Sequence, residues 1–204
     1  DHAAVLSILD DDETEDGYPY LVMELLVGRS VERAATEQGG RLPLDEVLRV
    51  ASTVLEVLDR AHEKGIIHRD IKPDNVMLGE FGETVVLDWG LAKVHGSDDL
   101  HGATLQRGVR QFKDSEAGQT VAGSAVGTPA YMSPEQAEGQ VDAVDERSDV
   151  WSLGAVLYEI LTGHPPFAGH TAYEVIGKVI REPVRPVAQL APDAPAELAS
   201  ICER

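Results

Sequence analysis

Eight residues, HRDIKPDN from His68 to Asn75, constrain this chain more than any other stretch. Charged and amide side chains crowd together there, yet the stretch lies between two short apolar runs, Ile66–Ile67 and Val76–Leu78. Each run reads as a strand, so the polar octet is a loop held at both ends. A third run, Val85–Leu87, follows across GEFGET, a turn with two glycines, and predicts a hairpin. Pairing Val76 with Leu87, Met77 with Val86 and Leu78 with Val85 sets Asn75 opposite Asp88. Facing residues on neighbouring strands have Cβ atoms about 4.5–5.5 Å apart, so an amide oxygen and a carboxylate converge at one end of the hairpin. Such oxygen donors suit Mg2+, which takes one or two from protein and the rest from water and phosphates. Standing alone, the pair is more simply a polar hairpin end. It has company, however. Asp70 and Lys72 flank Ile71 and project from the same side of an extended loop, which Pro73 stiffens. A carboxylate so placed can accept a hydroxyl proton while the ammonium offsets charge on a phosphoryl group.

Around this loop the pattern changes from strands to helices. Val5–Leu9 and Tyr20–Leu26 read as two strands joined by the acidic turn DDDETEDGYP. DEVLRVASTVLEVLDRAHEKG places Val47, Ala51, Val54, Leu55, Leu58 and Ala61 on one helical face, with Gly65 as the stop. From Ala92 to Gly127 periodicity is lost, which predicts a long functional or mobile loop. Its QRGVRQFKD segment sets Arg107, Arg110 and Lys113 in an acidic chain and reads as a solvated insert, with docking or autoinhibition as the lesser alternative. SPEQAEG then opens a helix with Ser133 as N-cap and Pro134 at its first position. SDVWSLGAVLYEILTG is apolar nearly all round, which predicts a buried helix closed by Gly163. TAYEVIGKVI carries a capping box, Thr171 with Glu174, and an inner face of Ala172, Val175, Ile176 and Val179. Strands first and helices after predict an α+β arrangement.

Composition narrows the partners. Acidic residues outnumber basic ones, 36 to 17, for a formal charge of −19, which argues against binding nucleic acid through its phosphates. A single cysteine, Cys202, rules out an internal disulfide and fits a reducing compartment. No apolar run reaches membrane-spanning length, and residues 1–20 are acidic rather than signal-like. The chain opens without Met and stops partway through a helical pattern, and so reads as a piece of a longer protein.

Four segments then fall into one order: HRDIKPDN, LDWGLA, GTPAYMSPEQ and DVWSLGAVLYEILTGHPPF. They resemble the catalytic loop, metal-binding segment, activation-segment end and following helix of protein kinases, in particular the bacterial, eukaryotic-like serine/threonine kinases. The resemblance implies a truncated kinase-like fold, with residues 1–27 a remnant of the small lobe and hinge. Residues 28–204 would form the catalytic lobe, with a long activation segment from 88 to 135. It implies transfer of the ATP γ-phosphoryl group to Ser or Thr hydroxyls of proteins with Mg2+ or Mn2+, in bacterial signalling. By the same resemblance Asp70 is the base, Lys72 neutralises the γ-phosphate, and Asn75 and Asp88 hold the metal. Thr128 contacts the base and helps select the acceptor. Met23, Glu24, Leu26 and Met77 line the adenine pocket, while Arg69 pairs with a phosphate on Thr120 or Ser124. Glu135 and Asp149 are structural. Trp89 replaces the usual Phe as a tolerated variant. The family's Gly-rich loop, strand lysine and helix glutamate have no counterpart in the sequence, nor has the arginine that pairs with Glu135. These residues by themselves are therefore expected to bind ATP weakly and turn over little. The kinase domain is expected to be cytoplasmic in a protein free to carry a membrane anchor elsewhere, with self-association for autophosphorylation. Two rivals stand beside this reading, a pseudokinase-type binding module and a small-molecule kinase akin to antibiotic phosphotransferases. GTPAYMSPEQ, which resembles a peptide-docking segment, speaks against the second.

Overall fold

Two helices organise the chain, α2 (Leu44–His62) and α5 (Glu146–Thr162). The computed structural model describes residues 2–96, 99, 101–114 and 129–203. α2 buries Val47, Val50, Ala51, Val54, Val57, Leu58 and Ala61. Leu55, expected on that face, is 49% exposed: each helical residue turns by about 100°, which carries Leu55 off the stripe that Val50 and Val57 complete. α5 is buried nearly all round, as its apolar sequence predicts, and begins at Asp145, whose carboxylate accepts the Arg147 amide. Gly163 closes it at φ 79°, a left-handed stop that glycine reaches without strain. α1 (Val31–Glu37), α2 and α5 share one core with Val76, Leu78 and Val86.

The strands form small antiparallel sheets around this core. β1 (Ile8–Glu13) pairs with β2 (Pro19–Met23) as an exposed hairpin, so the acidic residues expected in a turn extend the first strand instead. Val5, expected in that strand, makes a parallel bridge to Val86. β3 (Gly28–Ser30), β5 (Val76–Gly79) and β6 (Thr84–Val86) form the second sheet, and β4 (Ile66–Ile67) pairs with β7 (Lys93–Val94).

The β5–β6 hairpin exists, but its register is one residue off the expected one. Val76 faces Val86, Met77 faces Val85 and Leu78 faces Thr84. The cause is the turn. Gly79 N–H donates to Glu83 O at 2.9 Å and Gly82 sits at φ 92°, leaving a three-residue loop that ends in a left-handed glycine. Leu87 therefore stands opposite Asn75 and donates its N–H to Asn75 O at 2.8 Å, and Asp88 lies one residue beyond the rung.

The stretch expected to be a solvated loop contains α3 (Gly102–Asp114). Its Leu105 and Val109, one turn apart, are buried against Met132, Ala137, Phe167, Ile176 and Val179. These come from α4 (Pro134–Glu138), α6 (Ala172–Arg181) and the segments beside them. Ser133 caps α4 with a full capping box to Gln136. At α6 only half of the expected box forms: Thr171 Oγ1 accepts the Glu174 amide, while the Glu174 carboxylate accepts from His170 N–H. α7 (Val187–Leu190) and α8 (Ala196–Cys202) close the far side of α5. Among the described residues no helix is long and apolar enough to cross a membrane.

Candidate active site

One buried carboxylate fixes the polar octet. Asp149, near the start of α5, accepts the amides of His68 (2.9 Å) and Arg69 (2.8 Å), and its Oδ2 meets His62 Nε2 at 2.8 Å. Because Asp145 caps α5, Asp149 serves the loop. Arg69 has φ 69°, a left-handed conformation that costs a non-glycine residue about 1–3 kcal/mol unless its surroundings fix it. Here the brace on consecutive amides does so, together with Gln136 Nε2, which donates to Arg69 O at 2.8 Å. The hydrogen bond to Asp149 pushes the His62 pKa up.

His68 is fully buried, and burial pushes its pKa down, so the ring is neutral. Asp70 N–H donates to Nδ1 (3.2 Å), which leaves Nε2–H to donate to Leu87 O (3.0 Å). A single ring thus ties the octet to the strand end just before Asp88. Trp89 packs on it, ring centroids 4.5 Å apart and planes tilted by 60°.

The octet's polar groups converge on Asp70, which is almost buried. Its Oδ2 accepts from Lys72 Nζ (2.7 Å) and from Asn75 Nδ2 (3.0 Å), and Asn75 Nδ2 also donates to Asp70 O (2.8 Å). Ile71, buried between Asp70 and Lys72, pins the loop to the core. Among the described residues, Asp70 Oδ1 and Asn75 Oδ1 carry no hydrogen bond. Asp88 is exposed, in the left-handed region at φ 60°, with Oδ1 accepting Gly90 N–H at 3.3 Å. An amide oxygen and a carboxylate, both free on at least one side, fit a hard divalent cation. No cluster of three His, Cys, Asp or Glu side chains is built among the described residues. The donor set therefore suits a cation that completes its shell with phosphate and water.

Residues 1–200 match the family model described as protein kinase domain. The chain belongs to the protein kinase domain family. The probable serine/threonine-protein kinase PknB of Bifidobacterium longum is 39% identical over 91% of this chain and 24% of its own length. That of Corynebacterium glutamicum is 34% identical over 94% and 27%, and the serine/threonine-protein kinase PknB of Mycobacterium tuberculosis is 36% identical over 92% and 28%. The chain spans about a quarter of the length of the curated relatives it matches.

Within this kinase domain the other expected site residues fall as follows. Arg69, expected to meet a phosphate, grips Asp99: Nη1 lies 2.6 Å from Oδ2 and Nη2 3.0 Å from Oδ1, while Nε donates to Leu91 O at 2.6 Å. The guanidinium is fully buried and holds the Asp99 carboxyl below the usual carboxylate range. Glu135 accepts from Ser148 Oγ. Met23 and Glu24 are exposed at and just past the end of β2, while Leu26 and Met77 are half-buried. Glu24 is tied to Ser7 through both its N–H (3.3 Å) and its carboxylate (2.9 Å). The connector enters β3 at Gly28, where a Cβ would stand 2.3 Å from Leu78 O, so only glycine lets β3 lie this close to β5. That pairing brings Ser30 opposite Met77. Thr120, Ser124 and Thr128 lie outside the described residues.

Three residues of the site have contacts that sequence reasoning missed: His62, Gln136 and Asp99. The spacing Ser133-x-x-Gln136 signals a capping box, which is half of what Gln136 does. His62 shows only as a basic residue in the last turn of a helix, and Asp99 as one acid in an aperiodic run.

Proposed function

We propose that this chain carries the phosphotransfer centre of a serine/threonine protein kinase, moving the γ-phosphoryl group of ATP to a Ser or Thr hydroxyl of a protein. The observation that carries the reading is the pinning of one oxygen of Asp70 by Lys72 and Asn75 while its other oxygen has no hydrogen bond among the described residues. Such a carboxylate accepts the proton of an incoming hydroxyl at Oδ1, and the hydroxyl oxygen bonds to the γ-phosphorus as the bond to the ADP oxygen breaks. Lys72, beside the base, offsets charge on the transferred group. Asn75 Oδ1 and the Asp88 carboxylate are the residues to hold a divalent cation, Mg2+ or Mn2+, which when bound neutralises charge on the phosphates. Residues 1–27 then belong to the small lobe and hinge, with the backbone of Glu24 and Leu26 facing the adenine, Met23 behind it and Met77 beneath it. Residues 28–204 belong to the catalytic lobe.

The test uses the full-length protein and transfer of radiolabelled γ-phosphate to a Ser/Thr protein acceptor. Asp88→Ala should abolish transfer nearly completely while the protein stays folded by circular dichroism. Wild-type turnover by Asp88→Ala would remove the metal-ligand role, and with it this reading.

A further inference from the structure

We propose that the outward face of α3 docks the acidic β1–β2 hairpin of a second copy of this chain, so that two copies pair about a two-fold axis with each helix on the other's hairpin. The contact does not depend on phosphotransfer, and its test reads assembly rather than turnover.

On the helix side, both the start and the middle of α3 are held. Asp99 Oδ1 accepts the amides of His101 (3.2 Å) and Gly102 (2.8 Å), and the same carboxylate meets Arg69. Leu105 and Val109 are packed against Met132, Ala137, Phe167, Ile176 and Val179. At about 100° per residue, Arg107 and Arg110 then stand on the side away from that seat, and both are exposed. Arg107 lies back along its own helix, with Nε donating to Ala103 O at 3.2 Å and Nη2 to Thr104 Oγ1 at 3.5 Å. Arg110 has no hydrogen bond or ion pair among the described residues. By contrast, Arg29, Arg33, Arg41, Arg60 and Arg147 each hold a carboxylate of their own copy. In a chain with 36 acidic residues and 17 basic ones, α3 thus presents two cations one turn apart that meet no carboxylate among the described residues.

The hairpin is the opposite case. Six of the seven residues from Asp10 to Asp16 are acidic, and all seven are exposed. Glu15 and Asp16 sit in the turn that Thr14 N–H closes onto Tyr18 O at 2.8 Å. Asp10 and Asp12 turn back onto the main chain, their Oδ1 atoms accepting the next amide at 3.0 and 2.8 Å. Strand residues alternate between faces, which puts Asp11 and Glu13 together on the other side, opposite Leu21 and Pro19. Their carboxylates have no partner among the described residues. Crowded like charges repel one another, and a pair of incoming cations relieves that repulsion.

Spacing and symmetry favour a second copy as the occupant. Residues two apart on a strand lie about 6–7 Å from each other, and side chains three apart on a helix have Cβ atoms about 5–6 Å apart. Arg107 and Arg110 can therefore meet Asp11 and Glu13 two on two. One exposed ion pair contributes little. A two-fold axis sets each patch against its complement twice over, so both helix–hairpin contacts form at once, whereas an unrelated acidic protein would meet the helix alone.

The test is sedimentation velocity of the full-length protein over a range of concentrations, at about 0.02 M and about 0.5 M salt, between which screening shortens from about 20 Å to about 4 Å. The wild type should self-associate at low salt and dissociate at high salt. Arg107→Glu/Arg110→Glu and Asp11→Arg/Glu13→Arg change exposed side chains only. Each should raise the low-salt dissociation constant by about tenfold or more, with circular dichroism unchanged. The hairpin variant lowers the net negative charge, so general repulsion by itself would tighten association there, opposite to the effect of a lost contact. Mixed together, the two variants should regain wild-type affinity, because each helix then faces a hairpin of opposite sign. If circular dichroism shows a reversal to be misfolded, Arg107→Gln/Arg110→Gln or Asp11→Asn/Glu13→Gln takes its place, with weakened association again expected. A wild type that stays monomeric at low salt, or that associates equally well in both variants, overturns the contact. Loss in the helix variant alone overturns the hairpin as its partner, and loss in the hairpin variant alone overturns the helix. Failure of two folded reversal variants to associate on mixing overturns the pairing of the two patches.

Discussion

Asp149 and Asp99 both hold the His68–Asn75 loop, one from the buried helix α5 and the other from the long segment that follows Asp88. Asp149 is wholly enclosed and takes consecutive backbone amides plus His62, so it fixes main chain to the core. Asp99 is one-fifth exposed and takes a side chain, so it ties the start of α3 to Arg69. A brace on buried amides has no alternative partner when it breaks, because water does not reach them. A pair at the edge of the core can open and be resolvated. The same charge chemistry thus holds buried main chain in one place and a side chain at the edge of the core in the other.

That contrast breaks most directly at the brace. Asp149→Ala strands two buried amides at about 1–3 kcal/mol each, so urea unfolding of this chain should lose about 2–6 kcal/mol. Asp99→Ala should lose under about 1 kcal/mol globally and open only residues 102–114, because local opening is cheaper than unfolding. Equal losses would end the distinction. Next in size, Asp70→Asn should cut phosphotransfer by the full-length protein about 10²–10⁴-fold, the usual contribution of a positioned base, with the unfolding midpoint nearly unchanged. A rate within tenfold would take the base role from Asp70.

Smaller effects follow pH. The His62 pKa is raised by its bond to Asp149, so its contribution to stability is full below the ordinary imidazole value of 6.5 and fades as pH rises through the raised value. The His68 pKa is lowered by burial. The unfolded chain therefore binds the extra proton first, and stability fades as pH falls from 6.5 through the lowered value. Together these two rings should give a stability maximum near pH 6.5. In urea titrations between about pH 5 and 8, His62→Gln should flatten the alkaline limb and His68→Gln the acid one. Failure of either limb to respond would show that another group sets it. The smallest effect belongs to Trp89→Phe. The substitution gives up some packing on His68 but also removes an indole N–H that is buried without a partner among the described residues. These terms oppose each other, so stability should change by under about 1 kcal/mol and phosphotransfer by less than about tenfold. A larger drop would mean that the indole has a specific role at Asp88.

The sequence showed the long periodic helices and the polar octet because each is locally determined: α2 and α5 by apolar spacing, the octet by its density of charge. Two things it misread depend on information outside a short window. The β5–β6 register turned on the conformation of Gly82, which no hydrophobic pattern reports. α3 was hidden because its apolar stripe is narrow and its start is fixed by Asp99 reaching a distant Arg69. The convergence of Lys72 and Asn75 on Asp70 was legible as the sharing of one side of a loop. Asp149's hold on two amides from some eighty positions away came only from resemblance.

The three-residue loop at Gly82 carries a consequence for how this domain tolerates change in length. A strand alternates its side chains between faces, so a slip of one residue turns every one of them over. Parity in the Gly79–Glu83 turn therefore decides which way the strand end presents Leu87, whose carbonyl orients His68, and where Asp88 emerges. Phe81 at the loop tip is 90% exposed and has space around it. Two residues added beside it keep the count odd and leave the site in place, whereas one added residue turns a surface insertion into an active-site mutation.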